Sequence, residues 1–417
     1  MTAVGEGHRA SGAAGSTSVL SGVDALVQLL LVRRRVDERD GLRTGTMVSG
    51  YPGSPLAGFD LRLESLADEA AAAGIVHQPG LNEELALAAV WGSQMGAVVP
   101  YRDGVDGVAG AWYGKAPGLD RSGDALKHAN ALGAGPNGGA VLFCGDDPTA
   151  KSSTLTCDSQ HTFEDACVPV LYPGDQQEVV DLGVHAFRLS RYAGCWAGMK
   201  IVTAVADGIG SVDLGLDRHQ PVDPDDLVVD GQPWRHEPLT RIGPHTVQAQ
   251  EALVVDHRLQ AAQAYVRGNG LDRVVGAGPG ASLGIVCAGK IYYDVVSALA
   301  GLGVGLDGLA DAGIRILKLA LTWPVVPATV LDFAGSVDEV LVVEEKRPFV
   351  EGQLRALLHE AGAATPVRGK RDGAGEALVP ITGELDAAAV AGILTRVRPA
   401  LVTHGGPASG PVGVDRD

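Results

Sequence analysis

The chain has 417 residues and a formal net charge of −17, and 46% of its residues are hydrophobic. This length predicts two or three domains with sizeable cores. The acidic balance argues against nucleic acid or an anionic membrane as the main partner, because both require a basic surface. No apolar stretch is long enough and free enough of charge to predict a membrane-spanning helix.

The five cysteines are dispersed along the chain, and no two form a Cys-x-x-Cys pair. The sequence therefore indicates neither a zinc ribbon nor a ferredoxin-type iron–sulfur cluster. The odd cysteine count, together with an N-terminus that does not resemble a signal peptide, predicts a protein of the reducing cytoplasm.

The first half of the chain alternates between short apolar strands and amphipathic helices. Residues 1–18 are small and polar, which predicts a disordered tail. Ser21 is a suitable N-cap for the helix VDALVQLLLVRRR. The pattern then predicts the strand TGTMVSG, a helix over 55–74, the strand GIVHQPG, a helix from Asn82, the strands GGAVLFCGDD and CVPVLYPG, the helix QEVVDLGVHAFRLSRYAG and the strand GMKIVTAV. This alternation of strands and helices predicts a parallel sheet covered by helices on both faces.

The run LDRHQPVDPDDLVVDGQPWRHEP is rich in Pro and Asp and predicts a domain boundary. We expect a first α/β domain over 19–220, a linker and helix over 221–275, and a smaller α/β domain over 276–402. Residues 403–417 predict a second disordered tail.

Two short motifs in the second half of the chain predict local structure and no specific chemistry. The glycines of GAGPG, at 276–280, precede a strand, so they predict a loop and not a dinucleotide-binding turn. The residues EEK, at 344–346, end a strand. They predict either a surface that faces a partner subunit or an ordinary solvated strand end.

Several stretches, in one order from Leu20 to Leu394, resemble the indolepyruvate ferredoxin oxidoreductase family in its large fused-subunit form. They are SGYPGSPLAGFD, GIVHQPGLNEELALAAVWGSQ, GAWYGKAPGLDRSGDALKHAN, GDDPTAKSST, LSRYAGCWAGMK, NGLDRVV, LVVEEKRPFVEGQL and GKRDGAG. The resemblance implies an α/β fold: a doubly wound parallel-sheet domain that binds the pyrimidine of thiamine diphosphate (ThDP), then a smaller domain like the transketolase C-terminal domain.

The resemblance also implies a catalytic residue. ThDP reacts after its C2 carbon loses a proton, and a carboxylate beside N1′ of the aminopyrimidine favours the imino tautomer that removes this proton. In the family this acid follows an Asn at the start of a helix, which implies Glu83 as the catalytic residue and Asn82 as a cofactor neighbour. Glu84 is expected to be solvated. The alternative is that both acids are ordinary first-turn residues.

The loop YPGSP, at 51–55, resembles the family's loop over the substrate carboxylate. This implies that Tyr51 and Ser54 bind substrate and that Gly53 lies at the cofactor. Lys115 is implied as the cation that pairs with a 2-oxoacid carboxylate. The fused relatives more often carry a basic residue where this chain has Pro52. An ordinary turn and a surface lysine are the alternatives.

The turn GDDPTAKSST follows a strand, at the edge where α/β sheets bind ligands. It implies that Asp146 contacts the cofactor or lies towards the partner subunit. Fused relatives usually have a His where this chain has Pro148, so no catalytic histidine is assigned. His161 lies nearby in sequence, and a lone His is more often structural than catalytic.

ThDP is held through Mg²⁺ by an Asp in a Gly-Asp-Gly turn and a later Asn. The nearest match, Gly123-Asp124-Ala125, lacks the second glycine and the Asn, so we assign no metal ligand. The resemblance then implies a hetero-oligomer, in which a diphosphate-binding subunit contributes Mg²⁺ and a [4Fe-4S] cluster.

The expected activity is decarboxylation of an arylpyruvate-like 2-oxoacid, with electrons passed to ferredoxin or another acceptor and CoA as an optional acyl acceptor. Two alternatives stay open. One is a subunit of a non-oxidative ThDP decarboxylase or carboligase, and the other is a non-catalytic structural subunit.

Overall fold

The computed structural model describes residues 17–241 and 246–404. These residues form two α/β units, each built around a largely parallel sheet, which confirms the predicted fold class. Most of the two expected tails lies outside the described residues. Within them, Thr17 and Ser18 already belong to a strand, and a short 3₁₀ helix, Pro399–His404, ends the described chain.

The first unit contains ten strands and nine α-helices among the described residues. The strands are β1 (Thr17–Ser21), β2 (Thr44–Gly50), β3 (Ile75–His77), β4 (Gly107–Lys115), β5 (Ala140–Asp146), β6 (Val170–Leu171), β7 (Ala197–Val202), β8 (Ile209–Asp213), β9 (Val228–Val229) and β10 (Gln232–Pro233). The helices are α1 (Gly22–Arg39), α2 (Phe59–Glu64), α3 (Ala67–Ala72), α4 (Glu83–Ser93), α5 (Ala116–Arg121), α6 (Gly123–Leu132), α7 (Gln160–Asp165), α8 (Gln176–Ala193) and α9 (Thr203–Ala206).

The rest of the described chain forms the linker helices and the second unit. Its helices are α10 (Val247–Ala252), α11 (Leu259–Gly268), α12 (Lys290–Gly301), α13 (Pro327–Ala334), α14 (Val350–Glu360) and α15 (Ala387–Val397), with a π-helical turn, Leu253–Arg258, between the first two. Its strands are β11 (Arg273–Gly276), β12 (Leu283–Ala288), β13 (Ile314–Leu319), β14 (Leu321–Trp323), β15 (Val340–Val342) and β16 (Val367–Arg368).

The first sheet has seven strands in the order β14-β6-β7-β5-β4-β2-β3, all parallel except β14. Its central strand shows why both faces carry helices. Val141 and Phe143 of β5 belong to the hydrophobic cluster that includes α1 and α8. Leu142 and Cys144 belong to the cluster that includes α4 and α6. Successive strand side chains point to opposite faces, so this continuous apolar run fills two cores.

Two predicted helix starts are confirmed by their caps. Ser21 caps α1 in a capping box with Asp24, in which each side chain bonds the other residue's backbone N–H. Asn82 caps α4 by accepting a hydrogen bond from the Leu85 N–H.

The single helix predicted over 55–74 is wrong, because the structure divides it into α2 and α3. The break falls at Ser65 and Leu66. The Ser65 hydroxyl donates a hydrogen bond of 2.7 Å to the Arg62 carbonyl, a local bond that competes with the helical pattern.

The second sheet has the order β11-β13-β12-β15-β16, with β11 antiparallel to β13. It begins at Arg273, inside the segment expected as linker. The apolar run IRILKLALTWP forms two strands that lie in different sheets. β13 pairs with β12 in the second sheet, whereas β14 pairs antiparallel with β6 of the first. The two units therefore share a sheet edge.

The linker helices are packed on the first unit. Arg258 is fully buried and donates hydrogen bonds to the carbonyls of Asn130, Ala131 and Leu132 at the end of α6. These are carbonyls that a helix end leaves without helical partners. The Tyr265 hydroxyl in α11 lies 3.0 Å from Nδ1 of His185 in α8. The segment is thus a structural part of the first unit and not a free connection.

Candidate functional site

The predicted site residues gather at the carboxyl edge of the first sheet. β2, β4 and β5 are adjacent and parallel, so their ends meet at this edge. Tyr51 follows β2, Lys115 ends β4, and Asp146 ends β5. The helix that begins with Glu83 also packs on β2 and β4.

Glu83 is the first residue of α4 and is half-buried, whereas Glu84 beside it is exposed. The carbonyl of Glu83 accepts a 3.0 Å hydrogen bond from Nε1 of the buried Trp112. A helix N-terminus also favours a negative charge. The bond from Trp112 holds the backbone of Glu83 in place at this helix end.

The carboxylate of Glu83 lies against Gly118 in α5. A Cβ at Gly118 would be 2.5 Å from Cγ and 2.8 Å from Oε1 of Glu83, closer than side chains tolerate. The Glu83 side chain thus occupies space that is open only because residue 118 has no side chain. We call this space the Gly118 cradle.

Lys115 and Gly53 are in direct contact. A Cβ at Gly53 would lie 3.2 Å from Cγ and Cδ of Lys115, so the lysine stem crosses the glycine. The side chain of Lys115 is half-buried. Within the described residues, no carboxylate lies within ion-pair distance of its ammonium, which leaves the charge available to an anionic ligand.

Tyr51 and Ser54 lie on the same loop as Gly53. Tyr51 is 41% exposed, and its N–H donates a 3.1 Å hydrogen bond to the Tyr113 carbonyl. The Ser54 hydroxyl contacts the Ser152 hydroxyl on the segment after β5. The structure thus brings Glu83, Lys115 and the loop of Tyr51 to one edge, with a second loop adjoining them.

Asp146 occupies a different environment from the other predicted residues. It is 0% exposed, and its Oδ2 accepts hydrogen bonds from the N–H (3.0 Å) and the hydroxyl (3.1 Å) of Ser159. The Lys200 ammonium lies 3.5 Å from the same oxygen. Its carboxylate faces the protein interior, where it holds Ser159 and Lys200 and is closed off from solvent.

Sequence reasoning missed Lys200 and Asp158. Lys200 lies in the buried strand β7 and is 2% exposed, and its Nζ is 2.9 Å from Oδ1 of Asp158. The available signal was a lysine inside the apolar run GMKIVTAV, because lysines are almost never fully buried unless paired.

The EEK motif is not a solvated strand end, since all three residues make specific contacts inside the chain, and a partner-facing role stays a prediction. The carboxylate of Glu344 accepts hydrogen bonds from the Phe349 and Val350 N–H groups at the start of α14. Glu345 is buried and accepts from the Leu385 N–H. The Lys346 ammonium donates to the Pro148 carbonyl in the first unit, which makes the motif an inter-unit contact.

His161 is placed as a packing residue. Its ring meets the Phe349 ring edge-on, with centroids 5.0 Å apart, at the contact between the units. Asp124, from the weak Gly-Asp match, is exposed and lies 3.5 Å from His128. Among residues 17–241 and 246–404, no group of three or more His, Cys, Asp or Glu side chains is arranged to hold a metal ion.

A cleft of about 420 Å³ lies between the units, away from these residues. Its lining includes Glu178, which pairs with both Lys318 and Arg273. None of the predicted site residues lines it. Its internally paired charges indicate a contact between units and do not specify a ligand.

Helices that could cross a membrane are not found in the part of the chain that the structure describes.

The fold is shared with a solved 2-oxoacid:ferredoxin oxidoreductase. The chain is similar to 2-oxoglutarate:ferredoxin oxidoreductase from Magnetococcus marinus, whose structure has 2-oxoglutarate, coenzyme A and succinyl-CoA bound. The TM-score is 0.64 at 15% sequence identity, over 92% of this chain and 65% of that one. At this identity the likeness concerns the fold.

Sequence comparisons find a similarity to one family of proteins. Residues 273–405 match the indolepyruvate oxidoreductase domain. The chain is 28% identical over 347 residues to indolepyruvate oxidoreductase subunit IorA of Methanothermobacter thermautotrophicus, covering 83% of this chain and 51% of that protein. It is 26% identical over 352 residues to the subunit of the same name from Thermococcus kodakarensis. This match covers 82% of this chain and 49% of that protein.

These matches confirm the resemblance to the indolepyruvate oxidoreductase family that was stated from the sequence. It spans about half the length of the curated relatives that it matches.

Proposed function

We propose that this chain is the pyrimidine-side subunit of a ThDP-dependent 2-oxoacid oxidoreductase that acts on an arylpyruvate-like substrate. The observation that carries the proposal is the carboxylate of Glu83, held at the start of α4 against the Gly118 cradle. A single acid at a sheet edge, with a cation and an exposed aromatic residue nearby, matches what the aminopyrimidine and a 2-oxoacid require.

The arrangement of the described residues supports a role in holding the cofactor. Glu83 would hold a proton at N1′ of the aminopyrimidine, and the Gly118 cradle leaves room for this carboxylate. Lys115 would hold the substrate carboxylate by charge, and Gly53 allows its stem to cross the loop of Tyr51 and Ser54. When bound, ThDP supplies the carbon nucleophile that attacks the 2-oxoacid carbonyl.

The surface around Glu83 supports a partner subunit. Leu81 is 88% exposed and Leu85 is 53% exposed, on either side of the acid. Leu155, on the segment after β5, is 64% exposed. Exposed apolar side chains grouped at one edge are typical of an interaction surface. We propose that a diphosphate-binding subunit covers this edge and contributes Mg²⁺ and a [4Fe-4S] cluster, from which ferredoxin or another acceptor takes electrons.

The test is anaerobic co-purification of the tagged chain with its partner, followed by assays of bound ThDP and of arylpyruvate-dependent dye reduction. Glu83→Gln should lower kcat at least about 100-fold, the size of a lost acid–base contribution. Glu84→Gln is the matched control, because this acid shares the helix turn and is exposed; its kcat should stay within about twofold of the wild type.

Near-normal turnover by Glu83→Gln would end the assignment. Turnover without an iron–sulfur cluster would favour the non-oxidative decarboxylase or carboligase. A complex that turns over equally well without this chain would establish a structural subunit.

A further inference from the structure

The segment 147–158 forms a loop whose two ends are tied by one carboxylate. Asp146 precedes the loop and Ser159 follows it, and Asp146 Oδ2 accepts both the N–H and the hydroxyl of Ser159. The carbonyl of Asp146 accepts a further hydrogen bond of 3.2 Å from Thr203. Loops with adjoining ends hold a compact shape of their own.

A buried cation anchors this loop from within the sheet. Lys200 reaches Asp158 at 2.9 Å and Asp146 at 3.5 Å. Burial opposes the charge of Lys200, but the two carboxylates raise its pKa well above the usual value. Removal of one member of a buried ion cluster leaves another charge uncompensated, which is strongly unfavourable.

The tip of the loop has its own internal structure. The carboxylate of Asp147 accepts hydrogen bonds from the N–H of Lys151 (3.0 Å) and of Ser152 (2.9 Å). Although burial opposes ionisation, these backbone bonds lower the pKa of Asp147. The turn places the Ser152 hydroxyl on the hydroxyl of Ser54, the serine of the predicted substrate loop.

The second unit holds the same loop from the other side. The Lys346 ammonium donates to the Pro148 carbonyl. The Lys151 ammonium lies 3.5 Å from Oε2 of Glu384. The loop is therefore fixed by the sheet below, by the second unit beside it, and by contact with Ser54 at its tip.

We infer that Lys200, Asp146 and Asp158 form a positioning cluster that holds the loop 147–158 against the substrate loop at Ser54. The cluster acts through Ser152 and does not itself touch a ligand. Its effect on substrate binding rests on the proposed function. Its effect on the loop does not, and the two are measured separately.

Cys157 reports on the loop directly. It lies on the loop and is half-buried, as is Cys167, which lies outside it, whereas the other three cysteines are buried. In purified Lys200→Met, alkylation of Cys157 relative to Cys167 in the same molecule should rise at least about tenfold, since the lost ion cluster frees the loop locally. Lys200→Arg, which keeps the charge, should restore part of the wild-type ratio.

If Lys200→Met does not fold, Asp158→Asn carries the test, because it removes the charged contact from the loop side. An unchanged alkylation ratio in the folded variant overturns the inference.

The effect on substrate binding is measured in the reconstituted complex. Whichever of the two variants folds should raise the KM for the 2-oxoacid about tenfold, while kcat and bound ThDP change less than about threefold. Equal loss of kcat and of bound ThDP would contradict the positioning role.

The two proposals fail differently. If the wild-type complex has no 2-oxoacid activity but alkylation rises in Lys200→Met, the proposed function is wrong and the loop-holding cluster stands. If the wild type turns over and alkylation does not change, the cluster is wrong and the proposed function stands.

Discussion

Glu83 and Glu84 are adjacent acids that the fold separates by environment. Both lie in the first turn of α4, where either would stabilise the helix end. Successive helix residues point in different directions, so one acid meets α5 and the other meets solvent. The difference in environment between the two therefore comes from Gly118, which lies on another helix.

Gly118→Ala should displace the Glu83 carboxylate without removing it. The new Cβ would overlap Cγ of Glu83, and a misplacement of about 1 Å can cost up to about 100-fold in rate, so we expect a kcat about 10- to 100-fold lower. Because the obstacle is a flexible side chain and Ala favours helix, the free energy of unfolding should stay within about 1 kcal/mol.

The control is Gly123→Ala in the next helix, where a Cβ would meet nothing within 4 Å. Both variants are assayed for kcat in the complex and for unfolding in urea. A Gly118→Ala complex with wild-type kcat would show that the cradle does not position the acid.

Among the elements, α8 shows how one helix is fixed at both ends. Asp175 caps its start by accepting a hydrogen bond from the Glu178 N–H. Gly194 ends it in the left-handed conformation, with φ of +80°. The His236 ring lies directly against this glycine, and Nε2 of His236 is 2.9 Å from the Ala134 carbonyl. The end of α8 is thus packed against the segment before the linker helices.

Gly194→Ala should destabilise the protein for two reasons. A side chain in the left-handed conformation costs about 1–2 kcal/mol. The new Cβ would also lie 2.1 Å from Nδ1 of His236, and such overpacking brings the expected loss to about 3 kcal/mol or more. The loss is measured as the change in the free energy of unfolding in urea.

Gly41→Ala separates the two causes. Gly41 follows α1 with φ of +83°, and a Cβ there would meet nothing within 4 Å, so only the conformational cost of about 1–2 kcal/mol applies. Equal losses of unfolding free energy in the two variants would show that His236 moves away from the new Cβ without an energetic penalty.

At the scale of the whole molecule, the two units are joined through the split between β13 and β14. Asp272 holds this split: its Oδ1 accepts hydrogen bonds from the N–H of Ala320 (2.8 Å) and of Leu321 (3.4 Å). Burial of the carboxylate raises the pKa of Asp272 to about 6.

This pKa predicts a pH dependence of stability. The native state binds the Asp272 proton more tightly than the unfolded chain, so stability falls as pH rises from about 4 to about 6, by about 2–3 kcal/mol in all. Asp272→Asn removes this dependence, and its amide oxygen can still accept from Ala320. The difference in unfolding free energy between variant and wild type should therefore grow in favour of the variant across this range.

Subtracting the unfolding free energy of the wild type from that of the variant also cancels the contributions of other titrating groups. Burial lowers the pKa values of His185 and His236 to about 4, and both titrate equally in variant and wild type. A difference that is constant from pH 4 to pH 7 would show that Asp272 does not carry the expected shift.

The sequence by itself determined the features that depend on near neighbours. The caps at Ser21 and Asn82, the apolar strand 140–146 and the choice of Glu83 follow from local pattern and from family resemblance, because capping and strand periodicity involve residues a few positions apart. The α/β class follows from the order of these elements.

Only the tertiary structure decided what depends on distant partners. Lys200 meets Asp146 and Asp158, β14 leaves its neighbour β13 for the first sheet, and Lys346 reaches across to Pro148. Each partner lies far along the chain, and no local periodicity encodes which pair will meet. Burial decides the rest: the same carboxylate type is a candidate ligand at Glu83, where the sheet edge is open, and a structural anchor at Asp146, where the chain closes over it.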